Sequence, residues 1–293
     1  MAIKPNDNAD ADGTKVQFTD ISKAQEAGHT ISITAQGIAY SHCHNSKVCD
    51  NELGQLGRGG DPNAVLPIIL NLDNDENNDN NHHDDVIVAA QHAYAGGFAS
   101  SGHSAILDAS GELWFAGCDR WQQLGMGSSQ GGSSGYTWKG GRLWQERFFK
   151  NDYVVDLLKG LDPSLGKTGR GASLSQLAPP LGTVDSSRRW IRDLALGGDH
   201  TVVLSSNKKD VVVFGKGGEG QLGLSSKPWV SSPARSKLLS SKSAEISAVC
   251  AFRNCSMTLN DRGEVMGRAG KCSMELKGMK KALELCRRRA KET

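Results

Sequence analysis

The sequence predicts an all-β fold assembled from repeated antiparallel strands. Nearly the same four letters occur three times in the 293 residues: Gly-Gln-Leu-Gly at 54–57, Gln-Gln-Leu-Gly at 122–125 and Gly-Gln-Leu-Gly again at 220–223. Each copy ends a longer block of two short strands joined by a turn. Because an internal repeat sets the architecture before any single residue does, we expect one structural unit per block.

The spacing within a block explains why it forms strands. In 30–34, hydroxyl residues alternate with Ile31 and Ile33, which is the two-residue period of a half-buried strand. A connection of the type Asp-x-x-Gly, as at 108–111, provides the positive φ of a tight hairpin. The next strand of a block, as at 211–214, is apolar on both faces and predicts burial between neighbours. One hairpin cannot bury its own apolar face, so stacked copies must supply the stability.

The loops that close the blocks predict a shared core position. Their glycines allow a sharp turn and a close approach of backbones, and the leucine between them fills the space beneath. We therefore expect Leu56, Leu124 and Leu222 to be buried at equivalent positions. A fourth, degraded copy runs from Cys255 to Gly267 and lacks the Gln-Leu-Gly loop.

The order of these motifs carries a resemblance. Gly-His-Thr/Ser, then Asp-Gly, then aromatic-x-x-Gly or Phe-Gly, then Gly-Gln-Leu-Gly resembles the regulator of chromosome condensation family. The resemblance covers 26–60, 86–127, 191–233 and 246–270, and it implies a β-propeller of four-stranded blades. The founding branch of that family is a guanine-nucleotide exchange factor for a Ran-type small GTPase. None of the partner-specific loop residues that this activity needs can be matched here, and one fold hosts many functions.

The repeats predict three regions. A polar N-terminal segment covers 1–25, propeller repeats cover 26–272, and a short basic helix covers 273–293. Insertions at 71–85 and 128–189 stretch the repeats. A ring of seven such blades would need roughly 350 residues. Four visible repeats therefore indicate a partial propeller, a truncated gene model, a diverged protein with hidden blades or a closed ring of four blades.

The motifs that imitate binding loops fail on spacing. The insertion at 71–85 loosely resembles a calcium loop but lacks the turn glycine and the bidentate Glu, so we expect a solvated surface loop. The segment 160–168 resembles a phosphate-binding loop but has five residues between its glycines where four are needed. We predict no cofactor and no metal site.

Three histidines recur at one register, namely His29, His103 and His200. A catalytic histidine is seldom repeated once per blade, so this pattern predicts a structural hydrogen bond inside each blade. No Ser/His/Asp set or pair of carboxylates stands out from the repeats. We predict no catalytic residue and a non-enzymatic protein.

The second insertion is rich in aromatic residues. Trp138, Trp144, Phe148 and Phe149 lie beside charged residues in this segment. Because aromatic and arginine residues dominate interaction hot spots, they are candidates for binding a protein partner. The alternative is that they pack on the neighbouring blade.

The C-terminal segment predicts an amphipathic basic helix. The whole chain has a net charge of +2, yet residues 268–293 hold nine Lys and Arg against three Glu, so the rest of the chain is net negative. Apolar residues follow one helical stripe: Leu276, Met279, Leu283, Cys286 and Ala290. The candidate partner-binding residues beside it are Lys280, Lys281, Arg287, Arg288 and Arg289. This helix could dock on an acidic partner, act as a nuclear address, contact nucleic acid or cap the last blade.

Cysteine usage and the N-terminus predict the compartment. Seven cysteines without Cys-x-x-Cys spacing are read as free thiols, which suit a reducing compartment. The N-terminus shows no secretory signal, and no run of apolar residues is long enough to span a membrane. We therefore expect a cytoplasmic or nuclear scaffold that binds proteins of unknown identity, a small GTPase among the candidates, or nucleic acid through its basic tail.

Overall fold

Four antiparallel sheets follow one another along the chain as the blades of a β-propeller. The computed structural model describes residues 16–68, 70, 89–126, 136–139, 142–162, 190–225, 227–272 and 277–292. Blade 1 contains β1 (Phe18–Ala24), β2 (His29–Thr34), β3 (Ala39–Cys43) and β4 (Leu66–Pro67). Blade 2 contains β5 (Ala90–Gly96), β6 (His103–Asp108), β7 (Leu113–Cys118), β8 (Tyr136–Lys139) and β9 (Arg142–Lys150).

The other two blades repeat this pattern, and two helices accompany the strands. Blade 3 contains β10 (Ile191–Leu196), β11 (His200–Ser205), β12 (Val211–Lys216) and β13 (Trp229–Arg235). Blade 4 contains β14 (Ala248–Phe252), β15 (Cys255–Leu259) and β16 (Val265–Gly270). Helix α1 (Asp152–Leu161) follows blade 2, and helix α2 (Lys277–Glu292) follows blade 4. The predicted all-β propeller with four repeats and a short C-terminal helix is confirmed.

The core lies between the blades, as expected for units that cannot bury their own faces. Ile33 of blade 1 packs in one cluster with Trp114 of blade 2. Phe115 of blade 2 meets Phe214 of blade 3 edge to face, with ring centroids 5.9 Å apart. Val213 of blade 3 lies in a third cluster with elements of blade 4. The leucines of the three loops, Leu56, Leu124 and Leu222, are all buried, which confirms their predicted equivalence.

The first and last described blades also meet, at their inner turns. The Arg253 guanidinium in the β14–β15 turn lies 2.6 Å from the Glu26 carboxylate in the β1–β2 turn. This ion pair joins residues 227 positions apart in the chain.

Parts of the predicted flanking regions belong to blades. Strand β1 begins at Phe18, within the segment expected to precede the propeller. Residues 142–150, which the sequence assigned to an insertion, form β9, and β9 pairs with β7 of blade 2. Helix α1 is capped by the Asn151 side chain, which accepts a hydrogen bond from the amide of Val154. The insertion at 71–85 lies outside the described residues.

Four of the seven cysteines form disulfides, so the prediction of free thiols throughout is wrong. Cys43 bonds Cys49 with a Cα–Cα distance of 5.6 Å, and Cys255 bonds Cys272 at 4.9 Å. Both distances are normal for a disulfide. The hairpin geometry brings the second pair together: Cys255 lies opposite Gly270 in the β15–β16 ladder, two residues before Cys272. The argument from thiols to a reducing compartment therefore loses most of its basis.

Candidate functional site

Neighbouring blades are connected by a repeated set of hydrogen bonds, which we call the polar joint. The Ser104 hydroxyl of blade 2 donates to the carbonyl of Gln55 in the loop of blade 1, at 2.6 Å. The same hydroxyl lies 2.9 Å from Nε2 of His29 in blade 1. Because its proton is used on Gln55, the hydroxyl must accept from His29, which assigns the proton of this imidazole to Nε2.

Blades 3 and 4 share the same joint. The Ser256 hydroxyl donates to the carbonyl of Gln221 at 2.7 Å and lies 2.8 Å from Nε2 of His200. Between blades 2 and 3, the Thr201 hydroxyl donates to the carbonyl of Gln123 at 2.7 Å. One hydroxyl in each of blades 2, 3 and 4 therefore holds the Gln-Leu-Gly loop of the blade before it.

The histidine of blade 2 bonds differently. Nδ1 of His103 lies 3.2 Å from the carbonyl of Ser101, in the turn before its own strand, and donates to it. Nε2 of His103 has no hydrogen-bond partner among the described residues. The prediction of bonds inside each blade holds for His103 and is wrong for His29 and His200. His29 is the first residue of β2 and His200 the first residue of β11. At both positions the hydroxyl within hydrogen-bond distance belongs to the next blade.

All three histidines are kept neutral. Burial is the main cause that lowers the pKa of His29 to about 3, that of His103 to about 4 and that of His200 to about 3. A general acid or base needs a pKa near the working pH. The repeated histidines are therefore structural donors and acceptors, suited to holding the frame.

Blade 4 ends the series with a different residue. Cys255 stands at the position that His29, His103 and His200 occupy in the other repeats, and it is in the disulfide with Cys272. Helix α2 packs on this blade, where Leu283 and Cys286 are buried in one cluster with Cys250, Met257 and Leu259. The structure therefore places α2 as the cap of the last blade, one of the alternatives that the sequence left open.

The outer face of α2 is basic and exposed. Lys280, Lys281, Arg287 and Arg288 are exposed. Nε of Arg287 donates to the carbonyl of Gly263 at 3.1 Å, and Arg288 lies 3.0 Å from Glu284 one turn earlier. The predicted segment 273–276 and the side chains of Met279 and Arg289 lie outside the described residues. The helix thus uses one side for packing and leaves a basic side available.

Replacing Leu283 with Ser is expected to detach α2 from blade 4. The side chain is buried against the apolar face of the blade, and large-to-small changes at such sites cost about 2 kcal/mol or more. Urea unfolding and amide hydrogen exchange along α2 measure the effect. The matched control is Leu285→Ser in the same helix, where the side chain is half exposed and the change should stay within about 0.5 kcal/mol. Equal effects of the two substitutions would contradict the cap.

The aromatic residues proposed as a partner surface lie mostly inside the protein. Trp144, Phe148 and Phe149 are buried. Phe148 packs in the cluster between blades 1 and 2, and Phe149 in the cluster between blades 2 and 3. Their positions favour the packing alternative. Trp138 belongs to β8, and its side chain lies outside the described part of the chain.

Other kinds of site have no counterpart in the described ranges. No three His, Cys, Asp or Glu side chains in them come together as a metal site would require. No described helix is long and apolar enough to cross a membrane.

The frame and its joints define a repeat β-propeller, and comparisons with known proteins agree. No protein-family model matches the chain. A curated relative, the protein RCC2 homolog of Danio rerio, is 26% identical over 245 residues, which cover 83% of this chain and 40% of the relative. The solved structure of Prp20p from Saccharomyces cerevisiae, described with its binding to Gsp1p and histones, aligns with a TM-score of 0.53 at 17% identity. The alignment covers 92% of this chain and 47% of the Prp20p chain.

A second solved structure, human WBSCR16, gives a TM-score of 0.53 at 15% identity, covering 86% of this chain and 48% of that one. The chain thus spans about half the length or less of the proteins it matches. The resemblance predicted from the repeats is confirmed: the chain has the RCC1-like β-propeller fold. These similarities show the fold and name no specific activity.

Proposed function

We propose that this chain is a non-enzymatic propeller that binds protein partners. The observation that carries the proposal is the use of the repeated polar groups. Hydrogen bonds between blades use most of these groups. They involve two of the three repeated histidines, the hydroxyl of each following blade and the three Gln carbonyls. The repeats therefore build a frame, and the side chains that vary between them, in the loops and on α2, remain for recognition.

Exchange activity on a small GTPase is the alternative function that the family resemblance suggests. The solved relative Prp20p binds Gsp1p, whereas this chain spans about half of that protein. The cytoplasmic or nuclear location predicted from the sequence is part of the proposal of a binding propeller.

The chain is expected not to accelerate guanine-nucleotide release from a Ran-type GTPase, because no matching catalytic loop can be assigned. Release of a fluorescent GDP analogue from the purified GTPase, with and without this protein, measures the effect. Removal of Mg²⁺ by a chelator is the positive control for release. A rate well above the intrinsic one would replace the scaffold with an exchange factor.

A second candidate function is binding of a polyanion, favoured by the exposed basic face of α2. Contacts between Lys or Arg and phosphates release counterions, so such binding weakens steeply with salt. Replacing Arg287, Arg288 and Arg289 together by Ala should weaken binding to DNA, RNA or an acidic protein. It should barely change the melting temperature, because exposed charges contribute little to folding.

Anisotropy titrations at two salt concentrations, beside melting curves, measure both effects. The matched control removes three exposed lysines of blade 3 and its following turn: Lys209, Lys237 and Lys242. If the arginine variant binds as the wild type does, α2 is a structural cap alone.

A further inference from the structure

The three Gln-Leu-Gly loops share one backbone conformation but differ in the residues that lead into them. The residue before the Gln is left-handed in all three, with φ of 67° at Gly54, 63° at Gln122 and 81° at Gly220. Glycine adopts this conformation without strain, whereas a residue with a side chain seldom does. Blade 2 therefore keeps a side chain where the frame favours glycine, and strained positions of this kind cluster at functional sites.

The two residues before that position differ among all three blades, and blade 3 has Gly218 and Glu219 there. Blade 1 has Glu52 and a buried Leu53 there, while blade 2 has Arg120 and a half-buried Trp121. The indole is therefore larger than the frame requires, since the same loop closes over a leucine in blade 1. The loop backbone is held independently of it, because the carboxylate of Asp119 accepts from the amide of Leu124 at 2.8 Å.

Two cations lie against the indole. The Arg120 guanidinium is 5.6 Å from the centroid of the Trp121 ring, and the ammonium of Lys216, from blade 3, is 5.0 Å from it. Lys216 also pairs with the carboxylate of Asp199 at 3.4 Å. Arg120 is exposed and forms no ion pair with an acidic residue that the structure describes. The patch formed by Arg120, Trp121 and Lys216 thus spans two blades and has a cation available.

This composition fits the hot spot of a protein interface. Tryptophan and arginine dominate such sites, and a guanidinium binds a carboxylate through two parallel hydrogen bonds. A nucleic acid is a poorer fit, because its affinity depends on many phosphate contacts along a basic track. Here only two cations meet, and Asp199 neutralises one of them.

We propose that the patch of Arg120, Trp121 and Lys216 binds an acidic segment of a protein partner. A carboxylate of the segment pairs with Arg120, and an apolar neighbour of that carboxylate packs on the open part of the indole. This inference rests on the proposed function as a binding propeller and assigns to it the chemistry of one partner.

The test uses a substitution that the fold has already accepted. The double variant Arg120→Glu with Trp121→Leu gives the loop of blade 2 the two residues that blade 1 carries at Glu52 and Leu53. The probe is a fluorescein-labelled peptide of alternating glutamate and leucine, titrated by anisotropy. We expect the wild type to bind it and the double variant to bind at least about tenfold more weakly. Arg120→Ala alone, which leaves the indole in place, should weaken binding less but clearly.

The matched control is Lys209→Glu, which makes in the exposed β11–β12 turn the same change of charge as Arg120→Glu. It should change the affinity by less than about twofold, as a distant exposed charge does. The proposal is overturned if the wild type does not bind the peptide, if both double variant and control lose binding equally, or if the double variant binds as the wild type does. It is also overturned if the wild type binds labelled oligo-thymidine and the double variant loses that binding instead of binding to the peptide. The nucleotide-release assay tests the scaffold itself, so failure of the patch and failure of the proposed function remain separate results.

Discussion

Acidification from about pH 7 to about pH 4 is expected to unfold the propeller. His29, His103 and His200 are fully buried, and burial depresses their pKa values to about 3, about 4 and about 3. In the unfolded chain each pKa returns to about 6.5. Between these values the unfolded state binds three protons that the folded state excludes, so stability falls as the pH falls.

The size of this effect is large compared with the stability of a domain. Each histidine contributes up to about 1.4 kcal/mol per pH unit in that window, and three together contribute about 4 kcal/mol per unit. A typical domain has a free energy of unfolding of about 5–15 kcal/mol. Above about pH 7 the three imidazoles are neutral in both states and add no pH dependence.

Urea unfolding at several pH values between about 4 and 7.5 measures the slope. Burial also lowers the pKa of His42 to about 4, so more than three imidazoles set the total slope. The variant His200→Gln removes one of them, so its slope in acid should be smaller by up to about 1.4 kcal/mol per pH unit, whatever it loses at neutral pH. His92→Gln is the matched control, because the His92 side chain is 46% exposed. Identical slopes for the wild type and His200→Gln would show that the buried histidines do not govern acid stability.

Replacing Ser104 with Ala is expected to weaken the joint between blades 1 and 2 by about 2–6 kcal/mol. The substitution removes one hydroxyl but leaves two buried groups without a partner, the Nε2–H of His29 and the carbonyl of Gln55. A buried polar group left unsatisfied costs about 1–3 kcal/mol. The free energy of unfolding from urea titration measures the loss.

Ser110→Ala provides the matched control for this joint. Ser110 is exposed in the turn between β6 and β7, and the hydrogen bond found there uses its backbone amide, which alanine retains. This change should stay within about 0.5 kcal/mol. A Ser104→Ala protein as stable as the Ser110→Ala protein would mean that the joint contributes little.

Local patterns were sufficient for the elements of the fold. The alternation of polar and apolar residues at 30–34, the Asp-x-x-Gly turns and the repeated Leu of the loops predicted strands, hairpins and buried loop positions that the structure confirms. The expectation that the strand at 30–34 is half-buried was wrong, because neighbouring strands and blades bury both of its faces. The apolar stripe of the C-terminal segment predicted a helix with one packing side, and Leu283 and Cys286 lie on it. In each case the signal and the structure it specifies lie within a few residues of each other.

Contacts between distant parts of the chain were beyond this reasoning. His29 and its partner Ser104 are 75 positions apart, so sequence spacing could identify the repeat of the histidine but not the blade that holds its partner. The aromatic residues Trp144, Phe148 and Phe149 have the composition of an interface, and only packing places them in the core. The sequence alone does show that the loop of blade 2 has Gln122 where its two counterparts have glycine.

The sequence by itself determined the repeated unit, its strands and its turn residues, because these depend on side-chain period and on backbone conformation at single positions. The tertiary structure alone decided which groups meet across blades, which cysteines bond and which side of α2 remains exposed. Those outcomes depend on how neighbouring units stack, since each blade is completed by the blade beside it. Cys255 shows the difference most simply: its position in the repeat was visible in the sequence, and its bond to Cys272 followed from the ladder of blade 4.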